Sequence, residues 1–341
     1  MTRRQILILT AILGILAAAL LARNFSNRMD FARSRELYGR FSSPFDPSTA
    51  GKILIGKGTE PELIELYKEK DLWHVKNLWG ARADEARVDA LLAVLGDLRG
   101  DLRSSEEEAF GDFGITDEES FSVLVTDALS RPLLDLKIGT RQPGHSSFFI
   151  RQTGRGDIFY TDAKLDHLLG LFMGLEESVP VPDFWADLSL FRLDAAQVRK
   201  ITVKRLKDGV TSLVAGVERE PTDEPGSGRW KLKGPKEALP ADPDKILRFI
   251  ATLNSIRAQG VADPNGKRYG LESPVWELSV TSGEKETVLF AGAKDAKDYL
   301  FFVKKEGSPQ VFRLNGHYFE DLNVTNDKFV KETAEDKAVI P

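Results

Sequence analysis

Apolar residues along this chain follow two rhythms, and the order of those rhythms is written twice. Lys52-Ile53-Leu54-Ile55, Glu62-Leu63-Ile64-Glu65-Leu66 and Trp73-His74-Val75 read as short strands in a meander, the middle one also fitting a single helical turn. Asp84 is a good helix cap, and Val88, Leu91, Leu92, Leu95 and Leu98 after it fall at helical spacing. Phe121, Val123 and Val125 then alternate, as does Leu134-Asp135-Leu136-Lys137-Ile138, which Gly139 ends. Residues 148–151 and 157–160 form a hairpin across Thr153-Gly154-Arg155-Gly156, and a closing helix is predicted over 163–175.

The second half repeats this order. Lys200-Ile201-Thr202-Val203 matches the first strand, and Asp242-Pro243 starts a helix with a cap and a proline at its first position. Ile246, Phe249, Ile250, Leu253 and Ile256 repeat the helical stripe, and Trp276, Leu278 and Val280 repeat the alternation. Strands over 288–291, 299–304 and 310–314 complete the copy. Residue identities follow the same register. Trp73-His74-Val75-Lys76 returns as Trp230-Lys231-Leu232-Lys233, Ala83-Asp84 as Ala241-Asp242 and Phe113-Gly114-Ile115 as Tyr269-Gly270-Leu271. Phe148-Phe149-Ile150-Arg151 returns as Phe301-Phe302-Val303-Lys304, and Ile158-Phe159 as Val311-Phe312. The offset stays between 153 and 158 residues, too long for a solenoid unit. The expected fold is α+β: two tandem homologous repeats, each a mostly antiparallel sheet with about two helices, after one N-terminal transmembrane helix.

That N-terminal prediction rests on residues 6–22, seventeen positions without a charge between Arg3-Arg4 and Arg23. They read as an uncleaved signal anchor; a cleaved signal using Ala17-Ala18-Ala19 and a buried soluble helix are the alternatives. Arg3 and Arg4 favour an inside N-terminus with the body extracytoplasmic, that is, a single-pass protein of the bacterial inner membrane with a periplasmic body; Arg23, Arg28, Arg33, Arg35 and Arg40 argue the other way. Phe25, Met29, Leu37 and Phe41 are spaced by multiples of four, so the helix is expected to continue to Phe41, as a solvated stalk or as a basic arm on anionic lipid or a partner. The domain plan is an anchor over 1–22, a stalk over 23–45, repeat domain 1 over 46–178, an inter-repeat strap over 179–197, repeat domain 2 over 198–326 and a tail over 327–341. Pro180, Pro182, Phe184 and Trp185 make the strap a packed connection.

Charge and composition narrow the function. Setting aside Arg3 and Arg4 leaves 45 basic against 52 acidic side chains, an acidic body that argues against nucleic acid. The absence of cysteine excludes disulfides, thiol catalysis and Cys-based zinc sites. No Gly-x-Ser-x-Gly, Walker loop or Gly-x-Gly-x-x-Gly occurs, and Thr161-Asp162-Ala163-Lys164 sits where a helix cap belongs. His74, His145, His167 and His317 have no metal-ligand spacing. Glu106-Glu107-Glu108 and Asp117-Glu118-Glu119 could pair as acid and base or hold a cation, but runs of like charge suit solvated loops, and the second copy has Asp263-Pro264-Asn265-Gly266-Lys267-Arg268 there. The recurring aromatics, Trp73 and Trp230 above all, fit a shared core. Trp79 and Trp185 have no copy and suit an exposed or interdomain surface. Candidate interaction residues are therefore Arg28, Arg33, Arg35, Phe41, Trp79, Phe184 and Trp185; no catalytic, cofactor-binding or metal residue is assigned.

Trp230-Lys231-Leu232, then Pro240-Ala241-Asp242 with its apolar helix, then Arg268-Tyr269-Gly270-Leu271-Glu272-Ser273-Pro274 and a hairpin containing Tyr299 resemble the bacterial domain-of-unknown-function 4340 family. Repeat one carries a degraded version in which Phe113-Gly114-Ile115 lacks the proline. The resemblance implies a single-pass membrane protein found beside ABC-type permeases, ATPases and gliding-type auxiliary proteins. It carries no active-site residues. The expectation is a non-enzymatic, membrane-anchored extracytoplasmic accessory subunit of an ABC-type export or gliding-like complex, with no cofactor. The alternative is an extracytoplasmic module that binds glycan, lipid or peptide in the cleft between the repeats.

Overall fold

A computed structural model describes residues 38–42, 44–59, 64–140, 147–171, 178–208, 210–221, 228–237, 239–266, 269–295 and 299–331. Among them no helix is long and apolar enough to cross a membrane. The expected anchor, and with it Arg28, Arg33 and Arg35, lies outside the described residues.

Along the chain come β1 (Tyr38–Arg40), β2 (Ala50–Lys57), β3 (Ile64–Glu69), β4 (Leu72–Val75), β5 (Ala81–Arg82) and helix α1 (Glu85–Gly96). Strand β6 (Arg99–Ser104), the short α2 (Phe110–Phe113), β7 (Phe121–Asp127), β8 (Pro132–Ile138), β9 (Phe148–Gln152), β10 (Ile158–Thr161) and α3 (Leu165–Leu169) follow. Next come α4 (Pro182–Trp185), β11 (Val198–Lys207), β12 (Val210–Arg219), β13 (Trp230–Leu232), α5 (Pro243–Ser255) and β14 (Gly260–Ala262). The series closes with β15 (Trp276–Ser282), β16 (Lys285–Asp295), β17 (Leu300–Lys305), β18 (Val311–Asn315) and α6 (Gly316–Leu322). Two compact units result, one of Met1–Asp71 with Glu85–Val181 and one of Leu72–Asp84 with Pro182–Pro341.

The first unit's sheet runs β1-β6-β10-β9-β8-β7-β2-β3. The second unit's eight-stranded sheet runs β13-β12-β11-β15-β16-β17-β18-β14. Read from β6 and from β14, the two orders coincide strand for strand: β10 with β18, β9 with β17, β8 with β16, β7 with β15, β2 with β11 and β3 with β12. The pairings are antiparallel, as a chain of hairpins requires. Ring contacts repeat as well. Phe113 meets Phe149 at 4.4 Å between centroids, and the equivalent Tyr269 meets Phe302 at 4.1 Å. Each unit is entered by an aspartate-capped turn: Asp46 Oδ1 accepts from Ser48 N at 2.9 Å, and Asp194 Oδ1 from Ala196 N at 3.0 Å.

The predicted stripes form the cores. Val88, Leu91, Leu92 and Leu95 of α1 are buried, as are Ile246, Phe249, Ile250 and Leu253 of α5. Each such side chain contributes about 1.5–3 kcal/mol by leaving water. Asp242 caps α5, its Oδ1 accepting from Asp244 N at 3.0 Å and Lys245 N at 3.2 Å. Trp73 and Trp230 are core residues, 2% and 8% exposed, whereas Phe113, Tyr269 and Phe301 are half-buried.

Three expectations need correction. The balance is more β than foreseen: two antiparallel sheets carry few helices, and α3 stops after five residues because Gly170 takes a left-handed cap (φ 72°). The first described residues of the stalk, 38–40, are strand, not helix. They pair with β6 in the register Tyr38↔Asp101, Gly39↔Gly100 and Arg40↔Arg99, because a sheet edge offers backbone groups that a solvated helix end does not use. Strand β6, between β1 and β10, and the edge strand β14 were not anticipated; with their low apolar content or short length they lack an alternating signal.

Candidate functional site

The second unit carries a half-open polar cavity of about 540 Å³. One wall is the segment 187–193, another is the start of β16, and a third is the turn joining β17 to β18. The segment 187–193 is fixed from several sides. Asp187 N donates to Arg82 O at 2.8 Å, and Asn254 holds both backbone groups of Leu193 at 2.8 Å. The turn is held by Glu306 N donating to Val288 O at 2.9 Å, with Gly307 in the left-handed region (φ 71°).

Four cations, Arg82, Arg192, Lys285 and Lys305, face three carboxylates, Asp187, Glu286 and Glu306. Asp187 is bound by Arg192 at 2.9 Å and by Ser189 N at 3.1 Å. Burial alone would raise its carboxyl, but the Ser189 and Arg192 contacts outweigh that and hold it below the usual carboxylate value. Lys305 is part-buried, donates from Nζ to the Ser189 carbonyl at 3.0 Å, and lies 5.9 Å from the centre of the Phe312 ring. Among the described residues it forms no ion pair. Burial pushes its ammonium below the ordinary lysine value; Asp187 pulls it back, and Arg192, Lys285 and Arg82 push it down further. The equivalent residue of the first unit is Gln152, one position after the Arg151/Lys304 pair, so the lysine is an addition to the shared scaffold.

Most of the residues singled out from sequence lie elsewhere. Phe41 is 4% exposed and packs edge-on against Phe159 at 5.3 Å. Trp185 is fully buried and stacks edge-on with half-buried Phe184 at 5.2 Å. Both are core residues and not surface contacts, because an aromatic of this size gains most by leaving water. Their strap is anchored on the second unit by Asp183, whose Oδ1 accepts from Val261 N and Oδ2 from Arg313, both at 2.8 Å. Trp79 is 51% exposed, as expected, and sits in the left-handed region (φ 53°), uncommon for a bulky side chain. The acidic clusters do not line the cavity of the second unit. Asp117 instead pairs with buried Arg151 at 2.6 Å, and Arg151 also donates to Ile115 O at 2.7 Å and covers the Phe110 ring. His74 Nδ1 contacts the Gly80 carbonyl at 3.0 Å and His317 lies beside the Tyr299 ring; His145 is outside the described residues. Among the described residues no group of three His, Cys, Asp or Glu is placed to hold a metal. The cavity itself went unpredicted. Its one trace in the sequence is the exchange of Gln152 for Lys305 between otherwise matching strands.

No curated protein and no solved structure matches the chain. One family profile, described as a domain of unknown function (DUF4340), matches residues 73–228 and again 230–336. The two matched stretches begin at Trp73 and Trp230, the tryptophans that the internal repeat equates. With most of its length matched in two copies, the chain belongs to the DUF4340 family.

Proposed function

We propose that the protein is a non-enzymatic, membrane-anchored extracytoplasmic accessory subunit of an ABC-type export or gliding-like complex. The observation that carries this reading is a duplicated sheet scaffold placed behind an uncharged stretch at residues 6–22. Two copies of one rigid sheet offer a partner long, fixed surfaces, and a tether at one end holds them at the membrane. Exposed Trp79, displayed in a strained backbone conformation, is the aromatic best placed to be such a contact. The test is in-cell crosslinking and affinity capture from solubilised native membranes. Recovery of a permease with its ATPase, abolished when residues 6–22 are exchanged for an unrelated anchor, supports the role. Capture of the chain alone, or only with itself, refutes it.

The cavity of the second unit favours a second reading, a binding module for a small ligand. Its volume falls within the range of small-molecule sites. That site belongs to one unit and does not call for a cleft between the repeats.

A further inference from the structure

We propose that the cavity of the second unit binds a small carboxylate- or phosphate-bearing molecule whose anionic group sits against Lys305. An ammonium taken from water needs a counter-charge or a full set of acceptors. Lys305 has three N–H donors and, among the described residues, one acceptor, the Ser189 carbonyl at 3.0 Å. Asp187, the acid whose charge acts on Lys305, is already engaged by Arg192 at 2.9 Å. Exposed Lys285 likewise forms no ion pair among the described residues, so its charge adds to the field at Lys305 instead of cancelling against a neighbour. Glu286 and Glu306 are exposed, with water to screen them, whereas Lys305 is part-buried. An anion entering the cavity therefore meets a part-buried cation with one protein acceptor among the described residues, in a setting where a charge-assisted hydrogen bond is strong.

Shape and divergence point the same way. Leu190, Phe191 and Phe312 give the cavity an apolar side beside the cations, which suits an organic anion as well as a bare one. The first unit, built on the same strand order, has neutral Gln152 at this position, so the fold does not demand the lysine. This inference deepens the small-ligand reading and is independent of the anchor and of any membrane partner. Failure to bind an anion leaves the accessory role untouched, and failure to capture a permease leaves the cavity untouched.

The test uses the full chain in detergent micelles, titrated calorimetrically with inorganic phosphate and separately with succinate at constant ionic strength, alongside K305M and K285A. Saturable binding of either probe is expected, at least tenfold weaker in K305M and several-fold weaker in K285A. Phosphate alone, succinate alone, or both identifies the anion class. Lys285 is exposed, so K285A keeps the comparison intact should K305M fail to fold. Absence of saturable binding to the unmodified chain by both probes overturns the proposal, as does wild-type affinity in the folded variants.

Discussion

Gly139 and Gly292 lie 153 residues apart, and each sits directly beneath the same loop of its own unit. A methyl group on Gly139 would collide with the Phe113 carbonyl, and one on Gly292 with the Tyr269 carbonyl. The loops above them turn at Gly114 and Gly270, both with φ 64°. Close approach of strand and loop is thus a shared device of the repeat. Gly139→Ala and Gly292→Ala are each expected to destabilise by about 1–3 kcal/mol, because backbone cannot step aside as a side chain can. Urea unfolding midpoints check this against Gly111→Ala, where an added methyl meets nothing within 4 Å and the effect should be near zero or stabilising.

Asn254 closes the cavity wall by imitating a strand. Its Oδ1 accepts from Leu193 N and its Nδ2 donates to Leu193 O, each at 2.8 Å. Asn254→Ala leaves two part-buried backbone groups without that partner and should destabilise by about 1–3 kcal/mol. Amide hydrogen exchange should rise at residues 187–193 while β15 stays protected. Unchanged exchange over 187–193 would remove Asn254 from this role.

Arg151 and Asp117 should respond unequally to mutation. Arg151 is 5% exposed, while the Asp117 side chain is 61% exposed. Arg151→Ala should destabilise by about 3 kcal/mol, losing a buried group with three partners, and Asp117→Ala by well under half of that. Burial works to raise the Asp117 carboxyl, but Arg151 and Lys137 outweigh it and lower it. A lowered folded value means the folded state binds its proton less readily than the unfolded chain. The stabilisation is present above the unfolded carboxylate value, near 4, and is lost as pH falls through the lowered one. Acid titrations of stability for wild type and Asp117→Asn should converge at the acid end.

Lys305 should show a slope of the same sign in the alkaline range, as relief of a penalty and not as the gain of a contact. Its value is lowered on folding, so the folded state gives up the proton more easily than the unfolded chain. The unfavourable charging is present in full below the folded value and fades as pH rises towards the unfolded lysine value, near 10.4. Lys305→Met should therefore match or exceed wild-type stability at pH 7, with the difference narrowing as the solution becomes alkaline. Denaturant midpoints for the two proteins across that interval decide it; a variant clearly less stable at neutral pH would mean the ammonium is satisfied as it stands.

Asn326 is a further staple, 2% exposed, accepting from Gly216 N at 2.8 Å and donating to the carbonyls of Lys233, at 2.9 Å, and Pro235. Asn326→Leu should destabilise by roughly 2–4 kcal/mol, since three backbone partners lose their match at once. Chemical denaturation with an unchanged m-value would attribute the loss to the folded state.

The internal repeat, the helical stripes of α1 and α5, the alternation in β7 and β15 and the cap at Asp242 were all legible in the chain, because each is a local periodicity or a local hydrogen bond. Such signals lie within a few residues of one another, and duplication states them twice. The strand pairing of residues 38–40, the burial of Phe41 and Trp185 and the existence of the cavity were decided only by tertiary contact. Phe41 needs Phe159, Lys305 needs Ser189, and Leu193 needs Asn254, partners between 61 and 118 residues away that no periodicity specifies. The exchange of Gln152 for Lys305 was visible in the aligned repeats, but its meaning was not. A lysine on a strand is ordinary until the surrounding segments part-bury it beside other cations.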